Sequence, residues 1–594
     1  MDFPSIFISK SAEINSLSND FDKFTVGESS LAYSKDIKEK VFIINTANYT
    51  VFGHVNIGCR KKLIDLEENI ELLVTNHSAI IADLHWGFLV FIGKKHQELI
   101  LVNDIYGIYP LYYSNHGEGV IISNDFDGLA QLQSSLTINE YGVYDYLLFN
   151  YTLRSRTLFN EMIQLEGGSR LKYVEGKFNV ETYLDIASII VELGFNKGIV
   201  GMCDSLKDHL RKNVDLNLQI QLPLTGGFDS KIILSLLLDL ENDFSAYTFG
   251  DSDSPDSLTA KTIVRDYGIK HKQIGLSDEF LRDIELNIEQ FIKYYPNAPM
   301  LDTLLYYLLV LAILPPSNIV TGKMGGELIV GPVLISELIT TRAASLLTQA
   351  KNKKELISIL EKRVNEIGFF NYAKFSKKVS EYTDPLLCYT NENQSTKNLN
   401  IAMFLLRETY AKFFGPVFNV LFSKHNLINP FVDVGFVKEL LNSKYSFLKK
   451  KPFSKKPFSH FLSRRLYPLL VKKIYPSVLN TPMDRGYNLK DFLHWYNFPK
   501  PFLNYINRHY IIKKPVKKIP VGYLANINVL VEEKLASSLI LEWDIFNKDQ
   551  IIMQINEMKE GRTNRFQNQR LIQLLTLHYI NLRYSNKIII NKND

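Results

Sequence analysis

Short β-branched and aromatic runs, cut by turn residues, dominate the first third of the chain. Val41 to Ile44, Thr50 to His54, Ala79 to Leu84, Gly87 to Ile92 and Glu98 to Val102 each predict a strand. Between Asn103 and Tyr113, Gly107 and Pro110 fix a turn that leads into a further strand, and Gly119 to Ser123 predicts the next. Asp125 to Leu132 reads as the start of a helix or a turn, and Tyr141 to Phe149 carries a helical pattern. Residues 1–185 therefore read as one layered α+β domain.

From about Ile190 the pattern changes. Helical segments (Gly198 to Lys212, Asp256 to Tyr267) alternate with short strands at Leu222 to Leu224, Phe244 to Gly250 and Lys272 to Ile274. That alternation predicts a parallel sheet with helices on both faces. Ligands of such sheets bind beyond the carboxyl ends of the strands. Three segments would converge there: the turn after Leu224, Phe249-Gly250, and the strand end from Ile319 to Gly322. Residues 186–594 are assigned to this second domain. Residues 336–394 read as an insertion, in which Leu346 to Ile367 has the charged periodicity of a solvated helix pair. The tail from Val529 is largely helical in pattern.

Bulk properties narrow the function only a little. A chain of 594 residues, 46% apolar, is long enough for two to four packed domains. A net charge of +5 requires no nucleic-acid partner. The three cysteines (Cys59, Cys203, Cys388) lie far apart, which suits a reducing compartment and gives neither a disulfide framework nor a cysteine zinc site. Thr303 to Leu314 is apolar but shorter than the roughly 20 residues a bilayer span needs, and Pro315-Pro316 ends it. Met1-Asp2-Phe3-Pro4 lacks the basic and apolar regions of a signal peptide. The expectation is a soluble cytoplasmic protein with no membrane partner. A homodimer is compatible with the sequence, which fixes no oligomeric state.

The chemistry concentrates at Thr225-Gly226-Gly227-Phe228-Asp229-Ser230-Lys231, between the strand and an amphipathic helix. Paired glycines let the backbone turn tightly and approach a ligand. The helix start offers backbone N–H groups to an anion, and Thr225 and Ser230 add hydroxyls. Asp229 would repel phosphate unless a cation such as Mg²⁺ lay between them. The pattern suits a pyrophosphate cradle; an ordinary βα turn would share its glycines. Lys231 either contacts a phosphate or faces solvent.

Several landmarks together resemble the asparagine synthetase family over nearly the whole chain. Gly87-Phe88, Asp104 to Tyr113, Ser123-Asn124-Asp125, Thr157-Leu158-Phe159, Leu165 to Gly168 and Tyr183-Leu184-Asp185 resemble its glutaminase-type N-terminal domain. Thr225 to Ser230 resembles the Ser-Gly-Gly-x-Asp-Ser loop of the ATP-pyrophosphatase superfamily. The resemblance implies an Ntn-hydrolase-like α+β domain followed by a doubly wound ATP-pyrophosphatase domain of the adenine nucleotide α hydrolase-like type. It implies that ATP and Mg²⁺ are used. Leu224 and Phe249 would contact adenosine; Thr225, Gly226, Gly227, Ser230, Thr321 and Gly322 would border the nucleotide phosphates; Asp229 would bind the metal.

The same resemblance exposes departures. An active glutaminase of this kind uses a cysteine directly after the initiator methionine, where this sequence has Asp2. Arg-Gly-Pro-Asp and Asn-Gly-Glu-Ile-Tyr-Asn, the family's glutamine-binding segments, are missing, and Asn76-His77 does not replace them. Cys59 reads as a small buried residue rather than a displaced nucleophile. Lys323 replaces the family's active-site glutamate. Gly326 replaces its second metal-binding aspartate, which leaves Glu327 as the nearby carboxylate for a metal. Ile428 replaces an arginine before Asn429 to Asp433. Asp484 stands where the family often has a lysine, with Arg485 the nearest cation. Glu408 is a candidate acid or base, with a surface-helix carboxylate as its alternative. The repeated Lys-Lys-Pro-Phe-Ser between Lys450 and Ser459 reads as a solvated loop.

These residues predict an AMP-forming ligase that joins a small-molecule or peptide carboxylate to an amine, as β-lactam synthetases and lasso-peptide cyclases do. Ammonia-dependent asparagine synthesis and a non-catalytic scaffold are the alternatives. The chain is expected to release no glutamate from glutamine. A glutamate assay on the purified protein checks this, and turnover above background would reveal a working nucleophile.

Overall fold

The computed structural model describes residues 5–10, 14, 20–35, 40–65, 84–95, 98–116, 119–174, 177–184, 186–191, 198–294, 301–331, 345–390, 398–449, 457–507 and 527–589. Asp2, Asn76-His77, most of the strand expected at Ala79 to Leu84 and most of the Lys-Lys-Pro-Phe-Ser repeat lie outside these residues.

Two six-stranded antiparallel sheets form the N-terminal layers. One runs Ile163–Gln164, Tyr112–His116, Gly119–Ser123, Ile6–Lys10, Ser29–Ser34, Phe21–Val26. The other runs Lys177–Thr182, Ser169–Val174, Leu99–Asn103, Gly87–Gly93, Tyr49–Val55, Val41–Asn45. Phe52 of the second sheet meets Phe24 and Tyr33 of the first, with ring centroids 6.2 and 5.9 Å apart. Ile6–Lys10 is buried along its length. Sequence pattern did not single it out, because the run is short and ends in Lys10, whose ammonium is paired with Glu28 at 3.3 Å.

The turn expected at Gly107 is built around a buried carboxylate. Asp104 accepts the backbone N–H groups of Tyr106, Ile108 and Tyr109, each at 3.0 Å. Burial outweighs these bonds and pushes the carboxyl up to about 7. Gly107 has φ +68°, and a Cβ there would lie 2.7 Å from the Gly167 nitrogen. The two glycine segments therefore need each other.

The second domain holds a five-stranded, all-parallel sheet ordered Lys270–Ile274, Phe244–Phe249, Gln219–Pro223, Ser317–Val320, Asn426–Ile428. The chain winds outward on one side of Gln219–Pro223, then crosses over to Ser317–Val320 and winds outward on the other. The crevice between these two strands is the topological switch point. Cys59 is fully buried, as a small packing residue would be. Among the described residues no helix is long and apolar enough to cross a membrane.

The supposed solvated helix pair is different in the structure. Helices Lys353–Ile367 and Tyr372–Thr383 bury Leu356, Leu360, Val364, Phe375 and Tyr382 and dock on the first domain. Charged periodicity hid an apolar stripe. At the contact, buried Asp145 accepts the Tyr382 hydroxyl (2.7 Å), the Leu153 amide (2.9 Å) and the Arg156 guanidinium (3.2 Å). The tail also returns to the first domain: Leu136 pairs with Ile588 in parallel, and Arg583 binds Asp127 at 2.5 Å.

Removing one partner of a buried ion pair leaves the other uncompensated. Arg156→Ala is expected to cost about 3–5 kcal/mol of stability, read by denaturant unfolding. A loss near zero would show that Asp145 is satisfied without the arginine.

Candidate functional site

The parallel sheet brings three strand ends together. Leu224 is fully buried; its amide donates to Tyr247 O (2.9 Å) and its carbonyl accepts the Thr248 hydroxyl (2.8 Å). The turn that follows is held by its own hydroxyls: Gly227 N–H donates to Thr225 Oγ1 at 3.1 Å, and Ser230 Oγ donates to Thr225 O at 3.0 Å. Asp229 opens the helix Asp229–Asp239. Phe249, at the end of the neighbouring strand, packs on Tyr306 and Tyr307, with centroids 5.8 and 5.3 Å away, and makes an aromatic wall.

Beyond Ser317–Val320, Thr321 is anchored by its amide to Ile428 O at 2.9 Å. Gly322, Gly325 and Gly326 then bring backbone against Asp229. A Cβ on Gly325 would lie 2.3 Å from Asp229 Oδ1, and one on Gly322 would lie 2.9 Å from Asp229 Cβ. A Cβ on Gly326 would sit 3.6 Å from Asp229 Oδ2, in ordinary contact. Met324 takes the left-handed conformation at φ +69° to complete the bend.

Asp229 Oδ1 accepts the Tyr467 hydroxyl at 2.6 Å. Burial pushes the Asp229 carboxyl up to about 7; Glu327 adds to the rise, while Tyr467 and Lys323 oppose it. Burial also raises Glu327. Lys323 is half-buried beside the rings of Tyr307 and Phe414, its Nζ 5.9 and 5.6 Å from their centroids. Asp229, Glu327 and Lys323 thus form one electrostatic group.

The loop around Asp484 closes the glycine turn from the other side. Asp484 N–H donates to Gly226 O at 3.3 Å, and a Cβ on Gly226 would lie 2.4 Å from Asp484 Cβ. Gly226 N–H donates to Asp256 Oδ1 at 2.8 Å. Arg485 lies beside Asp484, with Nε to Oδ1 at 3.7 Å. Arg464 is held below the usual guanidinium range by burial and by the like charge of Arg485.

Lys231 does not face solvent, which corrects one of its two expected placements. It is fully buried, its Nζ has no hydrogen-bond partner among the described residues, and burial pulls it down to about 8 against the carboxylates of Asp484 and Asp256. The helix that starts at Asp229 turns this side chain inward. Glu408 is likewise no surface carboxylate, being 1% exposed. It lies in a separate contact between the domains, where it accepts the Tyr389 hydroxyl (2.5 Å) and the Arg154 amide (3.1 Å), with Lys412 at 3.3 Å.

The structure therefore gathers Leu224, Thr225, Gly226, Gly227, Asp229, Ser230, Phe249, Thr321, Gly322, Lys323, Glu327 and Arg485 around one crevice. None of the hydrogen-bond partners of Glu408 among the described residues belongs to it. Sequence reasoning missed Tyr467, Asp256 and Arg464, which reach the crevice from distant segments and carry no local motif.

A model of the asparagine synthase domain matches residues 202–321, and a model of a glutamine amidotransferase domain matches residues 70–184. The chain thus carries the two kinds of domain that the asparagine synthetase family combines. Among characterised family members, it is 22% identical over 166 residues to glutamine-hydrolyzing asparagine synthetase 1 of Bacillus subtilis (strain 168), covering 28% of this chain and 26% of that protein. It is 23% identical over 226 residues to the microcin J25-processing protein McjC of Escherichia coli, covering 37% and 41%. A probable glutamine-hydrolyzing asparagine synthetase of Acanthamoeba polyphaga mimivirus is 24% identical over 287 residues, covering 46% and 50%. The chain thus spans between a quarter and a half of the length of these relatives. The synthetase domain of this family is an ATP-using one.

The donor set suits a phosphate group and a hard cation: backbone amides and hydroxyls line the glycine turn, the Lys231 ammonium and the Arg485 guanidinium lie beside the Asp484 loop that closes it, and Asp229 and Glu327 offer carboxylate oxygens. Gly325→Ala is expected to displace Asp229 and cost about 1–3 kcal/mol. Gly326→Ala should stay within about 0.5 kcal/mol. Thermal unfolding of the two variants distinguishes them; equal losses would refute the close approach at Gly325.

Proposed function

We propose that this family member activates a carboxylate with ATP and passes the acyl group to an amine. The observation that carries the reading is the glycine turn at the sheet's switch point with Asp229 at its base. The carboxylate would attack the α-phosphorus, giving an acyl-adenylate and pyrophosphate; the amine would then add at the acyl carbon and expel AMP. Charge is the central difficulty, because one anion must approach another. Thr225, Gly226, Gly227 and Ser230 would hold the pyrophosphate portion, and Leu224 and Phe249 the adenosine.

Asp229, with Glu327 beside it, would hold Mg²⁺, which when bound offsets phosphate charge. Lys323 and Arg485 would supply further cations around the reacting groups, with Lys231 beneath the turn. An arginine such as Arg485 stabilises an oxyanion but takes up no proton at neutral pH. Glu408 would act through the contact between the domains, where it positions Arg154, rather than as an acid or base at the phosphate.

The acyl donor is proposed to be a small-molecule or peptide carboxylate and the acceptor an organic amine. Lys323 in place of the family's glutamate favours this over asparagine synthesis from ammonia, and likeness to a microcin-processing protein favours a peptide carboxylate. The N-terminal domain is proposed to lack glutaminase activity. Gly326 in place of an aspartate favours the second reading, a scaffold without catalysis.

Exchange of labelled pyrophosphate into ATP, with candidate carboxylates, tests the proposal. Exchange is expected to fall about 10²–10³-fold in Asp229→Ala. The Asp229 proton must leave before a cation is held, so Mg²⁺ affinity is expected to rise with pH through about 7. Absence of both exchange and calorimetric ATP binding would favour the scaffold; full exchange in Asp229→Ala would place the site elsewhere.

A further inference from the structure

We propose that His85, His209 and Asp433 form a binding site for a divalent first-row transition-metal ion, with zinc the best match, at the junction of the two domains. Three separate segments supply the ligands. His85 precedes the strand Gly87–Gly93 of the first domain, His209 lies on the helix Gly198–Asn213, and Asp433 caps the helix Val434–Asn442. Their ligating atoms all lie within 4.8 Å of one another.

The carboxylate divides its two oxygens between two tasks. Oδ1 accepts the Phe436 amide at 2.9 Å and so fixes the side chain. Oδ2 points at both imidazoles, 3.3 Å from His209 Nδ1 and 3.9 Å from His85 Nε2. A hydrogen bond to His209 accounts for one ring. The His85 ring, nearly as buried, faces the same oxygen. The two rings meet edge to face with centroids 4.9 Å apart.

Four-coordinate zinc with ligands at about 2.0–2.2 Å separates neighbouring donor atoms by roughly 3.4 Å. His209 Nδ1 and Asp433 Oδ2 already stand at that separation, and His85 Nε2, 3.9 Å from the same oxygen, would have to draw in by about 0.5 Å on binding. His85 and His209 also border a cavity of about 30 Å³ that is lined further by Asn56, Asn213 and Asn429. It has room and polar partners for one water as a fourth ligand. Trp86 packs at a tilt against Phe422, with centroids 3.8 Å apart, and both line the cavity.

Ligand chemistry separates this site from the crevice at Asp229. Two imidazoles and one carboxylate suit zinc and its first-row neighbours, whereas Mg²⁺ and Ca²⁺ prefer all-oxygen sets. An ion here would tie the first domain to both the helix beside the parallel sheet and the Asp433 cap. It would act as a clamp between domains, independently of any ligase activity.

The test uses the full chain, stripped with a chelator and then titrated with Zn²⁺ or Co²⁺. The expected result is about one ion per chain, with the visible bands of Co²⁺ in a nitrogen and oxygen field, and a rise in Tm with Zn²⁺. His85→Gln and His209→Gln should each weaken binding at least about 10-fold and abolish the Zn²⁺-dependent rise in Tm. Wild-type protein that shows neither Co²⁺ bands nor a Zn²⁺-dependent Tm would overturn the site, without recourse to any variant. Binding unchanged in both variants would overturn it as well. Binding of Fe²⁺ under anaerobic conditions more tightly than Zn²⁺ would support the site and reassign its metal.

Discussion

The crevice depends on one close approach: the backbone of Gly322 and Gly325 lies against Asp229 where no Cβ fits. Two strands that are neighbours in space but about a hundred residues apart in the chain must end level for this to happen. Their parallel register, with Gln219 opposite Ser317 and Gln221 opposite Ile319, sets that level. Once the approach is made, Asp229 is largely surrounded by protein and its carboxyl rises. Tyr467 then gains its role as hydroxyl donor, and Glu327 and Lys323 fall within electrostatic reach. A slip of one residue would turn every side chain to the opposite face and break all of these contacts together.

A second constraint is how the domains are joined. The buried Tyr106 hydroxyl donates to Val432 O at 2.6 Å, and Asn419 Nδ2 donates to Ile108 O at 3.1 Å. Both bonds start from the Asp104 turn or end on it. The carboxylate at the centre of that turn therefore shapes a surface of the first domain and the seat of the second. Asp433 follows Val432 directly, so the histidine cluster lies on the same seam. The first domain's double sheet thus carries docking surfaces for the second.

Local chemistry made much of this legible in advance. The glycine turn, its hydroxyls and Asp229 occupy one short segment, and strand–turn–helix periodicity places them at a strand's carboxyl end. The alternation of helices and strands likewise identifies a parallel sheet without knowledge of its order. Lys231 shows where local reasoning stops. The third position of an amphipathic helix allows either face, and only the packing of the Asp484 loop and Asp256 decides that the ammonium is buried. The helices Lys353–Ile367 and Tyr372–Thr383 show the same limit, since charges conceal which stripe meets a neighbour. Glu408 reads as exposed in one dimension and is buried because Arg154 and Tyr389 arrive from elsewhere.

The sequence by itself determined the two-part α/β architecture, the likeness to the asparagine synthetase family and the glycine turn between strand and helix, because each is written in contiguous periodicity or in closely spaced motifs. Only the tertiary structure decided which distant groups surround that turn: Tyr467, Asp256, Arg464 and the closing Asp484 loop. It also decided that His85, His209 and Asp433 meet. The physical reason is that charge and coordination act through space over a few ångströms, while sequence spacing reports separation along the chain.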